Sequence, residues 1–206
     1  LFGFSGVVLL FYATNNMVMA DAAMLNRLSP FFVTIFAFLF LKEKLSKIQI
    51  SALFIAFIGA VLVIKPQFNS EMLPAISGLV SAIAAGAAYT LVRFLGDKEE
   101  APTIVFYFSL VSLICCIPFM IFKFITPNII QFLILICIGI FAAIGQITLT
   151  YAYKYAPASE VSIFNYSNII FSAILGYLIF SEASDIWSLL GGILIISSSV
   201  LVYFYN

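Results

Sequence analysis

Five stretches of this chain carry no charged side chain: residues 72–92, 101–122, 124–153, 161–181 and 186–206. Each holds at least about 20 residues, and a helix of that length rises far enough to cross the ~30 Å hydrocarbon core of a bilayer. Soluble domains cannot hide such runs, because about a quarter of their residues are charged. Here 9% are, and the mean hydropathy is +1.20. The runs are continuously apolar and lack the two-residue alternation of a membrane strand, which excludes a β-barrel. The sequence therefore specifies an all-α, polytopic helical membrane protein.

Punctuation along the chain predicts eight transmembrane helices, at roughly 1–19, 22–41, 48–65, 75–95, 102–123, 128–153, 159–180 and 186–205. Ser46 with Gln49 three residues on is a capping box for the third helix. Ser184 or Asp185 is placed to cap the eighth, and Pro127 suits the first turn of the sixth, where its missing N–H costs nothing. PQFNSEMLP, residues 66–74, has turn composition and reads as a linker between two halves.

Nine basic and nine acidic residues sit almost entirely in these short interruptions. Loops taken alternately place Lys42, Lys44, Lys47, Arg93, Lys98 and Lys154 on one side, and Arg27, Lys65 and Lys123 on the other. The richer side is expected in the cytoplasm, together with the C-terminus, at the cell membrane. Cys115, Cys116 and Cys137 all fall inside predicted spans and read as buried reduced thiols. The balanced charge gives no footprint for nucleic acid. The expected partners are the lipid bilayer and a small-molecule substrate, and a homo-oligomer is compatible with this composition.

The chain repeats itself. Glu43 in LKEKLSK and Glu182 in LIFSEASD stand 182 − 43 = 139 positions apart. In that register identities occur at Phe2/Phe141, Gly6/Gly145, Tyr12/Tyr151, Ala13/Ala152, Asn26/Asn165, Phe32/Phe171, Ile35/Ile174 and Leu39/Leu178, and Asp21 falls on Glu160. Apolar coincidences are easy in so greasy a chain; Tyr-Ala, Asn, an acid and Glu in one register are not. Five predicted helices separate equivalent pairs, and an odd number inverts orientation. Inverted repeats are a hallmark of secondary transporters, in which two similar halves exchange inward-open and outward-open states.

LNRLSPFFVTIFAFLFLKEKLSKIQISALFIAFIGAVLVIKP resembles the end of an EamA repeat of the drug/metabolite transporter superfamily, and YAYKYAPASEVSIFNYSNIIFSAILGYLIFSE resembles part of a second. The resemblance implies ten helices in two inverted sets of five, moving small metabolites, with eight present here. On that footing residues 1–66 are the last three helices of the first repeat, 67–74 the linker, and 75–206 a complete second repeat. Since 75 − 139 = −64, about 65 residues forming two helices are expected to precede Leu1, and without them the chain is not expected to transport. One departure is visible: Ile169 stands where the register places Pro30, so no proline kink is expected in the seventh helix.

Polar side chains inside spans mark pathways. Asn165, Asn168 and Ser172 share one face of the seventh helix; Gln146, Thr150 and Tyr153 share one on the sixth; Tyr89 and Arg93 are a turn apart on the fourth; Asn26 and Thr34 lie on the second. Tyr89, Gln146, Thr150, Asn165, Asn168, Ser172, Asn26 and Arg27 are the substrate-pathway candidates. Their alternative role is hydrogen bonding between helices. Arg27 either binds a substrate carboxylate or phosphate or snorkels outward, and Arg93 and Lys65 are expected to snorkel. Asp21 and Glu160 read as helix-start carboxylates, and Glu43 and Glu182 as residues orienting turns. Ala52, Ala56 and Ala60, like Gly78, Ala82 and Gly86, have the small-xxx-small spacing of close helix packing.

The chain has no His, which removes HExxH metal sites and Ser-His hydrolases. It has no GxxxxGK[ST] phosphate loop either, so ATP hydrolysis, enzymatic activity, a metal and a cofactor are not expected. The function read from the sequence is a permease moving a small organic metabolite by alternating access, in an exporting direction by analogy. A non-transporting structural or regulatory protein of the same fold is the alternative.

Overall fold

The computed structural model describes residues 1–64, 72–123, 126–180 and 186–205, and these are helical with no strand among them. The helices are α1 (Phe2–Asn16), α2 (Met19–Asn26), α3 (Ser29–Phe36), α4 (Lys47–Ile64), α5 (Met72–Gly96), α6 (Ala101–Lys123), α7 (Ile129–Tyr155), α8 (Ala158–Phe164), α9 (Ser167–Phe180) and α10 (Ile186–Tyr205), with a π-helical turn at Ala37–Leu41 after α3. Five helical stretches among the described residues are long and apolar enough to span a membrane: Asp21–Leu41, Lys47–Ile64, Met72–Gly96, Ala101–Pro118 and Ile129–Tyr155. Lys65, Glu182, Ser184, Asp185 and residues 67–71 of the expected linker lie outside the described residues.

The Ser46 capping box forms as the spacing requires: the Gln49 N–H donates to Ser46 Oγ at 3.1 Å, and the Ser46 N–H donates to Gln49 Oε1 at 2.9 Å. Before α7 the outcome differs. Asn128 is the N-cap, with reciprocal bonds to Gln131 of 2.8 and 2.9 Å. Pro127 thus precedes the cap instead of occupying the first turn. Residues 72–74 are not linker but open α5, where Pro74 needs no N–H partner. Lys42 closes the π turn in the left-handed region, φ 57°, which turns the chain toward α4.

The chain forms two compact units, one of residues 91–156 with Leu1, the other of residues 2–90 with 157–206. In the first, α6 packs on α7, and the apolar side chains of α7 from Ile129 to Ile136 are exposed, a surface suited to hydrocarbon. Hydroxyls there bond back to their own helix, Ser112 Oγ to the Phe108 carbonyl and Thr148 Oγ1 to that of Ile144, both at 2.8 Å. Arg93 is held at the end of α5. It donates to the Lys154 carbonyl at 2.8 Å and pairs with Asp97 at 3.2 Å, tying the end of α5 to the last turn of α7. Lys154 in turn pairs with Glu100 at 3.2 Å.

In the second unit the most extensive contact joins α4 to α10. Ala52, Ala56 and Ala60 are fully buried in it, so the small-residue stripe is packing, and it meets Ile195 and Val202. A Cβ at Gly59 would stand 2.7 Å from the Gly191 carbonyl, and one at Gly191 would stand 2.5 Å from that of Gly59. Backbone meets backbone, so neither glycine can gain a side chain without parting the helices. The same core includes Ile163, Tyr166 and Ile169, with Phe31 set edge-on to Phe57 at its margin.

Candidate functional site

Two helices of the second unit are interrupted inside the expected spans, and the interruptions fall within one residue of register-equivalent places. The first separates α2 from α3 at Arg27–Leu28. Pro30 has no N–H to give the Asn26 carbonyl, so the regular ladder stops there. The chain tightens instead: the Arg27 N–H is shared between the Ala23 and Met24 carbonyls, Leu28 bonds to Leu25, and Phe31 bonds to Leu28 at 3.0 Å. Phe31 is therefore drawn away from the Arg27 carbonyl, which is left for another donor.

The second interruption separates α8 from α9 at Asn165–Tyr166. Asn165 bonds to Ser162, Tyr166 to Ile163, Asn168 to Asn165 and Ile169 to Tyr166, all three residues back. No proline stands at 169 and no proline kink forms, yet the single helix expected over 159–180 is divided into α8 and α9. The break forms without proline, through three-residue bonds and the burial of Tyr166, which is 0% exposed.

The two breaks touch. The Tyr166 hydroxyl donates to the freed Arg27 carbonyl at 2.7 Å, across a separation of 139 positions. That separation equals the repeat offset, so residue 27 meets its own register equivalent. Such self-equivalent contacts occur only where the axis relating two similar elements passes close by. Tyr166 was not among the candidates read from the sequence; placing Arg27 in the 139 register is the signal that would have found it.

The Arg27 guanidinium is within electrostatic reach of the hydroxyls of Tyr166 and Tyr89. No carboxylate among the described residues pairs with it. Gly86 explains how Tyr89 comes near: a Cβ at Gly86 would lie 2.6 Å from Phe32 Cβ, so α5 presses on α3 one turn before Tyr89. Asn26 is committed to packing, donating to Ser81 Oγ at 3.3 Å, while Ser81 donates to the Gly6 carbonyl at 2.7 Å.

The remaining candidates divide between the units. Asn165 ends α8 at the break itself. Asn168 and Ser172 are exposed one turn apart, with Ser172 Oγ donating to Asn168 Oδ1 at 3.3 Å. Gln146 and Thr150 belong to the first unit, where Gln146 is half-buried and buried Thr150 bonds back to its carbonyl at 2.8 Å. A groove of about 370 Å³ between α9 and α10, walled by Phe164, Phe171, Ile196 and Tyr203, is apolar and includes none of these residues.

Glu43 has a longer reach than a turn-orienting residue. Its carboxylate accepts from the Ala158 N–H at 2.9 Å, the Ser159 N–H at 3.2 Å and Ser159 Oγ at 3.0 Å, capping α8 from more than a hundred positions away. Glu160 in the first turn of α8 accepts from Gln49 Nε2 at 3.2 Å. The first-turn reading of Asp21 agrees with its place in α2, where it is fully buried.

Comparison with known proteins adds a family. Residues 1–65 and 72–204 match the EamA-like transporter family. The pseudopaline exporter CntI of Pseudomonas aeruginosa (strain UCBPP-PA14) is 34% identical over 196 residues, covering 94% of this chain and 69% of the exporter. Human solute carrier family 35 member G1 is 28% identical over 216 residues, covering 96% of this chain and 59% of the carrier. A crystal structure with 15% identity superposes at a TM-score of 0.83 over 98% of this chain and 72% of that one, a likeness of fold.

Proposed function

The chain belongs to the EamA-like transporter family, and on that premise we propose that it moves a small organic solute by alternating access, with the paired helix breaks as the region that meets the substrate. It is a multi-pass membrane transporter; the location of the site, the direction and the coupling are the proposal. In carriers built from inverted halves the substrate lies near the midplane where the halves meet, among discontinuous helices. The Tyr166–Arg27 hydrogen bond carries this reading, since it joins two interrupted helices at equivalent positions. Residues 1–66 and 75–206 are the halves in this scheme.

Export is the favoured direction, supported by the relative named as an exporter. The excess of Lys and Arg puts the Glu43 loop and the C-terminus in the cytoplasm. Asn165, Asn168, Ser172 and Tyr89 are the path candidates of the second unit, and Gln146 and Thr150 those of the first. Proteoliposomes containing the full-length protein test the function directly. Flux of at least one solute from a panel of amino acids, amines, nucleosides and organic acids is expected, and none across the whole panel overturns it. In a cysteine-free background, Cys at 89, 146 and 168 is expected to react with an impermeant thiol reagent in at least one state. Protection at all three overturns the assigned path.

A further inference from the structure

We propose that Arg27, with the Tyr89 and Tyr166 hydroxyls beside it, holds a carboxylate of the transported solute; this deepens the transporter reading and rests on it. A guanidinium stays ionised at any accessible pH, so its charge must be met by something. Arg27 sits half-buried at the break between α2 and α3, where the wholly buried Tyr166 bonds to its carbonyl at 2.7 Å. No carboxylate among the described residues pairs with it, and two phenol groups solvate a cation only in part. Within a membrane such a charge is expensive and is kept where it serves a ligand or a relay.

The geometry favours one class of ligand. The Tyr166 hydroxyl is already committed to the Arg27 carbonyl, which fixes the backbone from which the guanidinium projects. The guanidinium fork matches the two oxygens of a planar carboxylate. One cation neutralises one carboxylate, whereas a phosphate monoester brings close to two negative charges and leaves a surplus in a medium of low dielectric. Bound there, the acid would also bridge α2 and α3, through Arg27, to α5, through Tyr89, while the Tyr166 hydroxyl holds the Arg27 backbone from the α8–α9 side.

The test compares acids with their amide isosteres on the purified full-length protein. Benzoate, succinate and N-acetyl-leucine are titrated against benzamide, succinamide and N-acetyl-leucinamide, with phenyl phosphate as the other oxyanion. At least one acid is expected to bind about ten-fold or more tighter than its amide, the difference one charge-assisted bond makes. Arg27→Gln is expected to bring that acid down to its amide, Arg27→Lys to keep part of the preference, and Tyr89→Phe to weaken the acid alone. Tyr89→Phe keeps the ring and so tests the site even if Arg27→Gln fails to fold. Equal binding of acids and amides, no binding of any acid, an acid preference that survives Arg27→Gln, or a clear preference for phenyl phosphate each overturns the proposal. Flux of neutral or cationic solutes that is untouched by Arg27→Gln overturns it while leaving the transporter reading intact. Acid-selective binding without flux does the reverse.

Discussion

The two helix breaks reach the same shape by different means. At Arg27–Leu28 the interruption is local chemistry: Pro30 withholds an N–H and the ladder stops four residues back. At Asn165–Tyr166 no residue forbids a helix, and Ile169 donates an N–H to the Tyr166 carbonyl at 3.0 Å. That break is supported from outside, by Glu43 capping α8 and by Tyr166 buried against Arg27. One break is written into its own segment. The other exists only once the rest of the unit has folded around it.

The largest way to break this comparison is Ile169→Pro, which puts into the second segment the proline the first one has. Ile169 is 4% exposed and part of the core, and its N–H is bonded. Losing the bond and half the side chain is expected to lower stability by about 3 kcal/mol, read by thermal unfolding of the detergent-purified protein. Wild-type stability in this variant would mean that the two breaks are interchangeable, with no difference of mechanism.

Next in size is Tyr166→Phe, which removes one oxygen and nothing else. It strands the Arg27 carbonyl in a buried site, so a loss of about 2 kcal/mol is expected. The expected signature is asymmetric, because the group left without a partner belongs to the first break although the change is in the second. An unchanged unfolding temperature would show that water or another donor replaces the hydroxyl, and that the contact between equivalent residues holds nothing together.

Glu43→Gln sharpens the comparison from the other side. The amide keeps one acceptor for the α8 N-terminus but loses the charge, and a decrease of about 1 kcal/mol is expected. The effect should fall on the second break alone. Hydrogen exchange in α8 is therefore expected to quicken while exchange in α2 stays as it was. Equal change in both helices would mean that Glu43 supports the whole unit and not one end of it.

The difference between the breaks also sets what could be read from the sequence. The Ser46 capping box and the alanine stripe of α4 depend on residues three or four apart, and each is found where its spacing puts it. The first break announces itself through Pro30. The second does not, because its causes lie 115 and 139 positions away in Glu43 and Arg27. For Arg27 and Arg93 the sequence names the cation but not who meets it, because Tyr166, Tyr89 and the Lys154 carbonyl are brought there only by tertiary folding. The repeat register is the one sequence signal that crosses such distances, and applied to Arg27 it gives Tyr166.

The smallest expected effect belongs to Pro30→Ala, and it probes how local the first break is. The new N–H would lie within reach of the Asn26 carbonyl, adding one helical bond, while the buried ring is lost. These two changes oppose each other, and a net shift within about 1 kcal/mol is expected. The Leu28 carbonyl is already taken by Phe31, and the Arg27 carbonyl by Tyr166 at 2.7 Å. Straightening the helix would have to take both from their donors. The break is therefore expected to persist without its proline, with Cys at 27 keeping the thiol reactivity it has beside Pro30. A variant that is stabilised by well over 1 kcal/mol and protected at position 27 would show a healed helix. In that case the first break rests on proline alone, and the Tyr166 bond is a consequence of the opening, not a cause of it.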